Sequence, residues 1–292
     1  MELFRIIKKD ARRALHSFAG RATASVLIIA MAYLAVTITH SVLLFIFSGA
    51  ESLQYDFFSI AESSAEILAV TGGMSLLYFL IMPALFLGYT KLHFAFAEGK
   101  DESINTLFDM FSSPKKFFGS FIFGICCAVL GILSFAAGTA PGATLFYCAY
   151  NFIPESTATL SILRIGALCI CTSVIILGAV FTLVFIRRWH LAPYYFVTGS
   201  GIFRSFRQSA KATAGIHGDI LRFRLSFIGW ALLSFFILPM LYSIPYFFIA
   251  SAIHAKYLME KYEHSLAVVP ENFEHGEAES EITEEKDSPQ ER

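Results

Sequence analysis

Charged residues are scarce in this chain. Asp, Glu, Lys and Arg make up 15% of its 292 residues, while 56% are hydrophobic and the mean hydropathy is +0.62. Because an average soluble domain carries about 25% charged residues, this composition excludes an ordinary soluble protein and indicates a membrane protein. The apolar residues also form runs of about 20 or more, which is the length that a helix needs to cross the hydrocarbon layer.

Disulfide frameworks and catalytic motifs are also lacking. The five cysteines form no CxxC pair and four of them fall within apolar runs, so Cys148 alone is expected to face outward. The sequence has no HExxH, EF-hand, GxxxxGKS/T or GxSxG motif, and the interiors of the apolar runs contain no Asp, Glu or Lys. We therefore predict a protein that is not an enzyme and that uses no cofactor or metal.

The apolar runs predict an all-α transmembrane helix bundle. The expected spans are residues 22–47, 67–92, 117–138, 162–186, 225–238 and 244–257. The last stretch, 225–257, is too long for one span and short for two, and Pro239 and Pro245 divide it. A hairpin there would return Lys256 and Lys261 to the side of the other cations. Six spans is the predicted count, and five, with one bent helix at the end, is the alternative.

Lys and Arg lie almost entirely on one side of this threading. Of the 22 cations, only Arg164 falls outside the segments assigned to the inner face. Because short loops rich in Lys and Arg stay in the cytoplasm, we predict a multi-pass cell-membrane protein with both termini cytoplasmic. The outer loops are then the segment that carries Glu51, Asp56, Glu62 and Glu66, and residues 139–161.

Residues 1–21 have the pattern of a basic amphipathic helix. Apolar residues recur at helical spacing from Leu3 to Phe18, while cations such as Arg5 and Lys9 occupy the other faces. This pattern is typical of a helix that lies in the membrane interface, although a basic flank that only sets topology has the same pattern. At the other end, residues 263–292 are acidic and are expected to be disordered, which leaves 22–262 as the transmembrane domain.

A second amphipathic helix is predicted in the inner loop after Gly201. Its apolar face consists of Ile202, Phe203, Phe206 and Ala210, and its cationic face of Arg204, Arg207 and Lys211. This cationic face is the best candidate site, and further support comes from Arg187, Arg188, Arg222 and Arg224. Guanidinium groups bind phosphate in bidentate fashion, so anionic lipid head groups or an acidic partner surface are the predicted ligands. The ordinary positive-inside signal, which needs no ligand, explains the same cations.

Small residues recur on one face of the third span. Ser120, Gly124 and Ala128 are four positions apart, which lets helix backbones approach closely. This stripe predicts helix packing and not chemistry.

Several short runs resemble a known family. They are Leu191-Ala192-Pro193-Tyr194, Ser209 with Gly215, Leu225-Ser226-Phe227-Ile228-Gly229-Trp230, Pro245-Tyr246 with Ala252 and Tyr257, and the opening Lys8-Lys9-Asp10-Ala11. These runs are similar to an uncharacterised bacterial family of multi-pass membrane proteins, domain-of-unknown-function family nine-seven-five. The resemblance implies an integral membrane protein with several spans and no established activity, and it supplies no site residues.

Two functions fit these observations. The first is a non-enzymatic envelope protein whose basic cytoplasmic face engages the lipid bilayer or a membrane or cytoplasmic protein, with no nucleic acid as a partner. The alternative is a transporter or permease subunit in which residues 202–215 couple to a cytoplasmic ATPase. An intramembrane enzyme acting on lipids ranks last, because the inner-loop acids match no reaction template; they are Asp101, Glu102, Asp109 and Asp219.

Overall fold

The computed structural model describes residues 2–48, 65–152 and 158–284 of the chain. Nearly all of these residues are helical and none of them forms a strand, so the predicted all-α class is confirmed. The helices are α1 Glu2–Ser48, α2 Ala65–Ala97, α3 Pro114–Phe152, α4 Ala158–Ile186, α5 Ala192–Val197, α6 Ile202–Ala212, α7 His217–Leu225, α8 Ile228–Leu233 and α9 Ile237–Glu284. Short 3-10 helices at Ile104–Phe111 and Arg187–Trp189 connect them.

Within the described residues, four helices are long and apolar enough to cross a membrane. They cover Glu2–Ile46, Ile67–Ala97, Pro114–Asn151 and Leu238–Ser265, and a shorter apolar stretch, Arg164–Val180, lies in α4. Half of the most apolar stretch of the last of these helices is buried, against 6–17% in the other three. The helix α9 is therefore the most buried of the four, and it packs mainly against α1, α2 and α8, whereas α3 packs mainly against α4.

Most of the buried core lies at one end of the bundle, which we call the basic end. It contains the first part of α1, the end of α2, the helices α5–α7 and the middle of α9. Away from this end, large apolar side chains such as Met31, Leu76, Ile132 and Ile170 are exposed. Exposed apolar surface on this scale is what lipid-facing helices present.

The first part of α1 is an amphipathic helix, and its apolar side is covered by protein. Ile7, Ala11 and Leu15 are buried in a cluster with residues of α2, α7 and α9. The helix breaks at Phe18, where φ is −116° and ψ is 19°, and the Phe18 ring stacks on Phe96 with 4.7 Å between centroids. The apolar side of this helix is therefore covered by residues of α2, α7 and α9.

The predicted fifth span, residues 225–238, is not one helix. Helix α7 ends at Leu225, α8 covers only six residues, and the chain turns at 234–236 before α9 begins. The hydroxyl groups of Ser234 and Ser243 lie 2.5 Å apart and join the two sides of this turn. The predicted sixth span, residues 244–257, lies within α9.

Helix α3 continues through much of the predicted outer loop 139–161. It stays helical across Pro141 to Phe152, and glycines on this helix let α4 approach it closely. A Cβ atom on Gly138 would lie 2.6 Å from the carbonyl oxygen of Gly178. Residues 153–157 of this loop, and Glu51, Asp56 and Glu62 of the other predicted outer loop, lie outside the described residues.

The small residues near the start of α3 lie in buried helix contacts. Ser120 is fully buried, and a Cβ atom on Gly124 would lie 2.5 Å from Cγ of Pro83. The predicted packing role of the stripe is confirmed at these two positions.

Helix α9 extends to Glu284, so residues 263–284 are helical where a disordered tail was expected. A helix that is already formed needs no new nucleus to grow, and Glu and Ala are good helix formers. Residues 285–292 lie outside the described residues.

Candidate functional site

The predicted site residues Arg204, Arg207 and Lys211 are exposed on one face of α6. The opposite face of α6 packs at the basic end, but it is not the predicted apolar face. Phe206 is buried as expected, whereas Phe203 is 80% exposed. Two small polar residues, Ser205 and Ser209, are buried in its place, together with Ala212.

Hydrogen bonds of Ser209 explain why this face of α6, and not the predicted apolar face, is buried. Its hydroxyl donates to the carbonyl oxygen of Arg188 at 2.8 Å and accepts from the backbone N–H of Leu191 at 3.1 Å. Thr213 Oγ1 donates to the same Arg188 oxygen at 3.1 Å. Because buried backbone groups need partners, these contacts hold α6 against the segment that ends α4.

The other two predicted site residues, Arg187 and Arg188, point in different directions. Arg188 is exposed and lies over the Phe185 ring, 5.9 Å from its centroid. Arg187 is only 7% exposed, and burial lowers its pKa. It lies near Arg224, whose pKa is lowered by burial and then by the charge of Arg187. Of the five predicted residues, Arg187 is therefore buried, while the other four are exposed.

A different set of cations meets in a cleft of about 1,020 Å³ at the basic end, which we call the basic cleft. Its charged lining is Arg5, Lys8, Lys9 and Arg12 of α1, Asp219 and Arg222 of α7, and Lys261 of α9. Six cations thus face one acid, and that acid lies 3.7 Å from Arg222. Apolar side chains such as Phe4 and Leu258 form part of the wall.

Contacts between α1 and the end of α7 build this cleft. The ammonium group of Lys8 donates to the carbonyl oxygen of Ser226 at 2.8 Å and lies 4.8 Å from the centroid of the Phe227 ring. The Tyr246 hydroxyl donates to the Lys8 carbonyl oxygen at 3.4 Å. Lys8 therefore fixes the position of α1, and Arg5, Lys9 and Arg12 of the same helix line the cleft beside it.

The remaining cations of the cleft have few acidic neighbours. In the part of the chain that the structure describes, no carboxylate lies within ion-pair distance of Arg5, Lys9 or Lys261. The sequence pattern predicts that the cations of α1 share the polar side of an amphipathic helix, but it does not predict that they lie close to Arg222 and Lys261. These two lie more than 200 residues further along the chain, and no local pattern links them to α1.

The described residues include no group of three or more His, Cys, Asp or Glu side chains that could hold a metal ion. The chemistry of the basic cleft is that of a set of hydrogen-bond donors with positive charge. Such a set binds phosphate or carboxylate groups.

The chain matches one family over most of its length. The family, described as protein of unknown function (DUF975), matches residues 5–261. No curated protein and no solved structure matches the chain. The match confirms the resemblance first seen in the runs from Leu191 to Tyr257. The chain therefore belongs to the DUF975 family.

Proposed function

We propose that this protein is a multi-pass membrane protein whose basic cleft binds the phosphate groups of anionic lipids, and that it catalyses no reaction. The observation that carries the proposal is the lining of the cleft, in which six cations face one acid. Each Lys or Arg near an anionic membrane surface contributes about 1 kcal/mol of attraction, so a cluster of this size gives a marked preference for anionic lipid.

The proposed threading has the basic end in the cytoplasm, together with both termini. Helices α1–α4 cross the cell membrane, while α8 and the first part of α9 form a hairpin that enters from the cytoplasmic side and returns to it. The sequence predicts six spans, and in this arrangement the two arms of the hairpin take the place of the last two. Its support is the one-sided distribution of Lys and Arg, from which only Arg164 departs.

A lipid head group is the favoured ligand because polar and apolar walls meet in the cleft. Phe4 and Leu258 line it beside Arg5 and Lys9. A lipid presents both a phosphate and an acyl chain at the depth where such walls meet. The cations of α6, by contrast, lie on the surface beside the exposed Phe203.

The test is a titration of the purified protein in mild detergent with phosphatidylglycerol or phosphatidylcholine, with bound lipids counted by native mass spectrometry. We expect the variant Lys9→Gln/Arg222→Gln/Lys261→Gln to bind phosphatidylglycerol at least tenfold more weakly, because about 1 kcal/mol is lost per cation. The matched control is Arg204→Gln/Arg207→Gln/Lys211→Gln, which removes the same charge from α6. Unchanged binding in the first variant, or an equal loss in the control, contradicts the proposal.

A second candidate function is a permease subunit that docks a cytoplasmic ATPase through α6. It is favoured by the exposure of Phe203 between cations on a short helix that Ser209 holds in place. Phe203→Ala should then abolish recovery of an ATPase with the protein in mild detergent. Absence of any co-purifying ATPase with the unaltered protein contradicts this function.

A further inference from the structure

A second cavity, of about 310 Å³, lies near the basic cleft and shares no lining residue with it. Its volume falls within the range of about 300–1,000 Å³ that is typical of small-molecule sites. Most of its lining is apolar and includes Phe86, Leu130, Ile186, Phe206, Phe247 and Phe248. The polar residues in the wall therefore decide which head group this cavity can hold.

Arg224 lines this apolar cavity with a positive charge and is itself partly exposed at the surface. One terminal nitrogen of its guanidinium lies 2.9 Å from Nδ1 of His190. No Asp or Glu of the described chain lines the cavity. The charge of Arg224 is therefore not balanced by an acid in the cavity wall.

His190 adds a hydrogen-bond donor beside this charge. Burial, followed by the charges of Arg224 and His254, holds the pKa of His190 well below its ordinary value, so the ring is neutral at pH 7. Because a guanidinium can only donate, Nδ1 of His190 accepts and Nε2 carries the proton. Nε2 is buried and has no partner among the described residues.

Ser251 supplies another unused polar group. It is 3% exposed, and its hydroxyl has no partner in the described part of the chain. The neighbouring Thr90 differs, because its hydroxyl donates to the Phe86 carbonyl oxygen at 2.9 Å. Buried polar atoms need hydrogen-bond partners, and Ser251 and His190 line the same cavity, where a bound ligand would complete the hydrogen bonds of both. Donors and a positive charge without an acid favour an anionic group.

An adjoining cavity of about 530 Å³ extends from the same arginine. The two cavities share Arg224, Phe247 and Phe248. The rest of the second lining is almost entirely apolar: Leu225, Phe227, Ile228, Trp230, Ala231 and Ile244, with the mutually bonded Ser234 and Ser243. Arg224 therefore lies at the junction of a cavity with free donors and a cavity suited to a hydrocarbon chain.

We propose that these two cavities together bind a single-chain anionic amphiphile of the fatty-acid type. Arg224, His190 and Ser251 bind its head group, and its chain lies against Trp230 and Phe247. This site goes beyond the basic cleft, since the two use different residues. The cleft and the two cavities also use different arginines of α7: Arg222 lines the cleft, and Arg224 lines the cavities.

The two tryptophans of the chain provide the assay. Trp189 lines the first cavity and Trp230 the second. A stearate that carries bromine on its chain quenches the fluorescence of a tryptophan that it touches. In the full-length protein in mild detergent, we expect this acid to quench Trp230 fluorescence saturably, as measured in a Trp189→Phe variant. The methyl ester of the same chain lacks the charge, so the apparent Kd obtained from its quenching should be at least tenfold higher.

Variants test the residues that bind the head group. Arg224→Gln should raise the apparent Kd about tenfold or more, whereas Arg224→Lys keeps the charge and should retain most of the binding. Ser251→Ala, a small change that should preserve folding, is expected to raise the Kd several-fold. Arg222→Gln should leave the quenching unchanged even if it weakens lipid binding in the cleft. Equal quenching by acid and ester, or an unchanged Kd in both Arg224→Gln and Ser251→Ala, overturns the proposal.

Discussion

The close contact between α3 and α4 predicts opposite effects for the same substitution at two positions of α4. A Cβ atom on Gly178 would lie 1.9 Å from the carbonyl oxygen of Gly138 and 2.6 Å from its carbonyl carbon. Ordinary contacts begin at 3.4 Å, so the two backbones would have to separate by about 1.5 Å. A Cβ atom on Gly166 meets nothing within 4 Å. Gly178→Ala should therefore open the helix pair, whereas Gly166→Ala should not.

The magnitude follows from two opposing terms. Overpacking costs about 1–3 kcal/mol, and the high end applies to Gly178→Ala because backbone atoms cannot rotate away. Separation also stretches the bond in which Thr182 Oγ1 donates to the Ser134 carbonyl oxygen at 3.0 Å, which costs about 1 kcal/mol more. The gain in helix propensity offsets about 1 kcal/mol. We expect a net loss of about 3 kcal/mol for Gly178→Ala and a gain of about 0.5–1 kcal/mol for Gly166→Ala.

The assay is the free energy of unfolding in mixed detergent micelles, obtained by titrating in sodium dodecyl sulfate and following helicity. Both variants change one hydrogen into one methyl group in the same apolar helix. Any general effect of the substitution on detergent binding is therefore common to both. If the two variants shift the free energy of unfolding equally, the helices do not meet at Gly178 and the reasoning is refuted.

Three further predictions concern other parts of the molecule. Ser209→Ala should cost about 1–3 kcal/mol of unfolding free energy, because it strips the buried Leu191 N–H of its acceptor, while the exposed Ser17→Ala should cost far less. Asp109 lies 2.7 Å from both Lys91 and Lys116. Burial raises the pKa of Asp109, but hydrogen bonds from the two lysines outweigh this effect, and the net pKa is lowered. The stabilising contribution of Asp109 is therefore present at neutral pH and is lost as the pH falls below the ordinary aspartate range. Asp109→Asn should therefore cost about 1 kcal/mol at pH 7 and progressively less below pH 4. Finally, an impermeant maleimide should label Cys148 in intact cells, and no labelling where a control outer cysteine reacts would contradict the proposed threading.

The sequence was informative about where helices occur because hydrophobic length is a local property. The runs at 67–92 and 117–138 lie within α2 and α3. The bounds of α3 were not predictable in the same way, since Pro141 and Gly142 usually end a helix. They are tolerated because Gly142 packs against Ile175 of α4, and that contact depends on a distant part of the chain.

In the candidate site, too, local features could be predicted from the sequence and contacts between distant residues could not. The cations of α6 were predicted to be exposed, and they are. The predicted buried face of α6 was wrong at Phe203. Two hydrogen bonds of Ser209 to residues about twenty positions earlier outweigh the burial of one aromatic ring. The basic cleft depends on Lys8 meeting Ser226, a pair separated by 218 residues, and no periodic pattern encodes that pairing.

The attachment of the first helix to the last third of the chain also constrains the order of assembly. The partners of Ile7, Ala11 and Leu15 include Phe223 and Ala250, which a ribosome makes more than 200 residues later. During synthesis this apolar stripe is therefore left without its final partners, and at about 5–20 residues per second the delay is on the order of ten seconds or more. A membrane surface can cover these apolar side chains until their protein partners have been made. We therefore expect the apolar side of the N-terminal helix to contact lipid during synthesis and to transfer to its protein partners once α7 and α9 have been made.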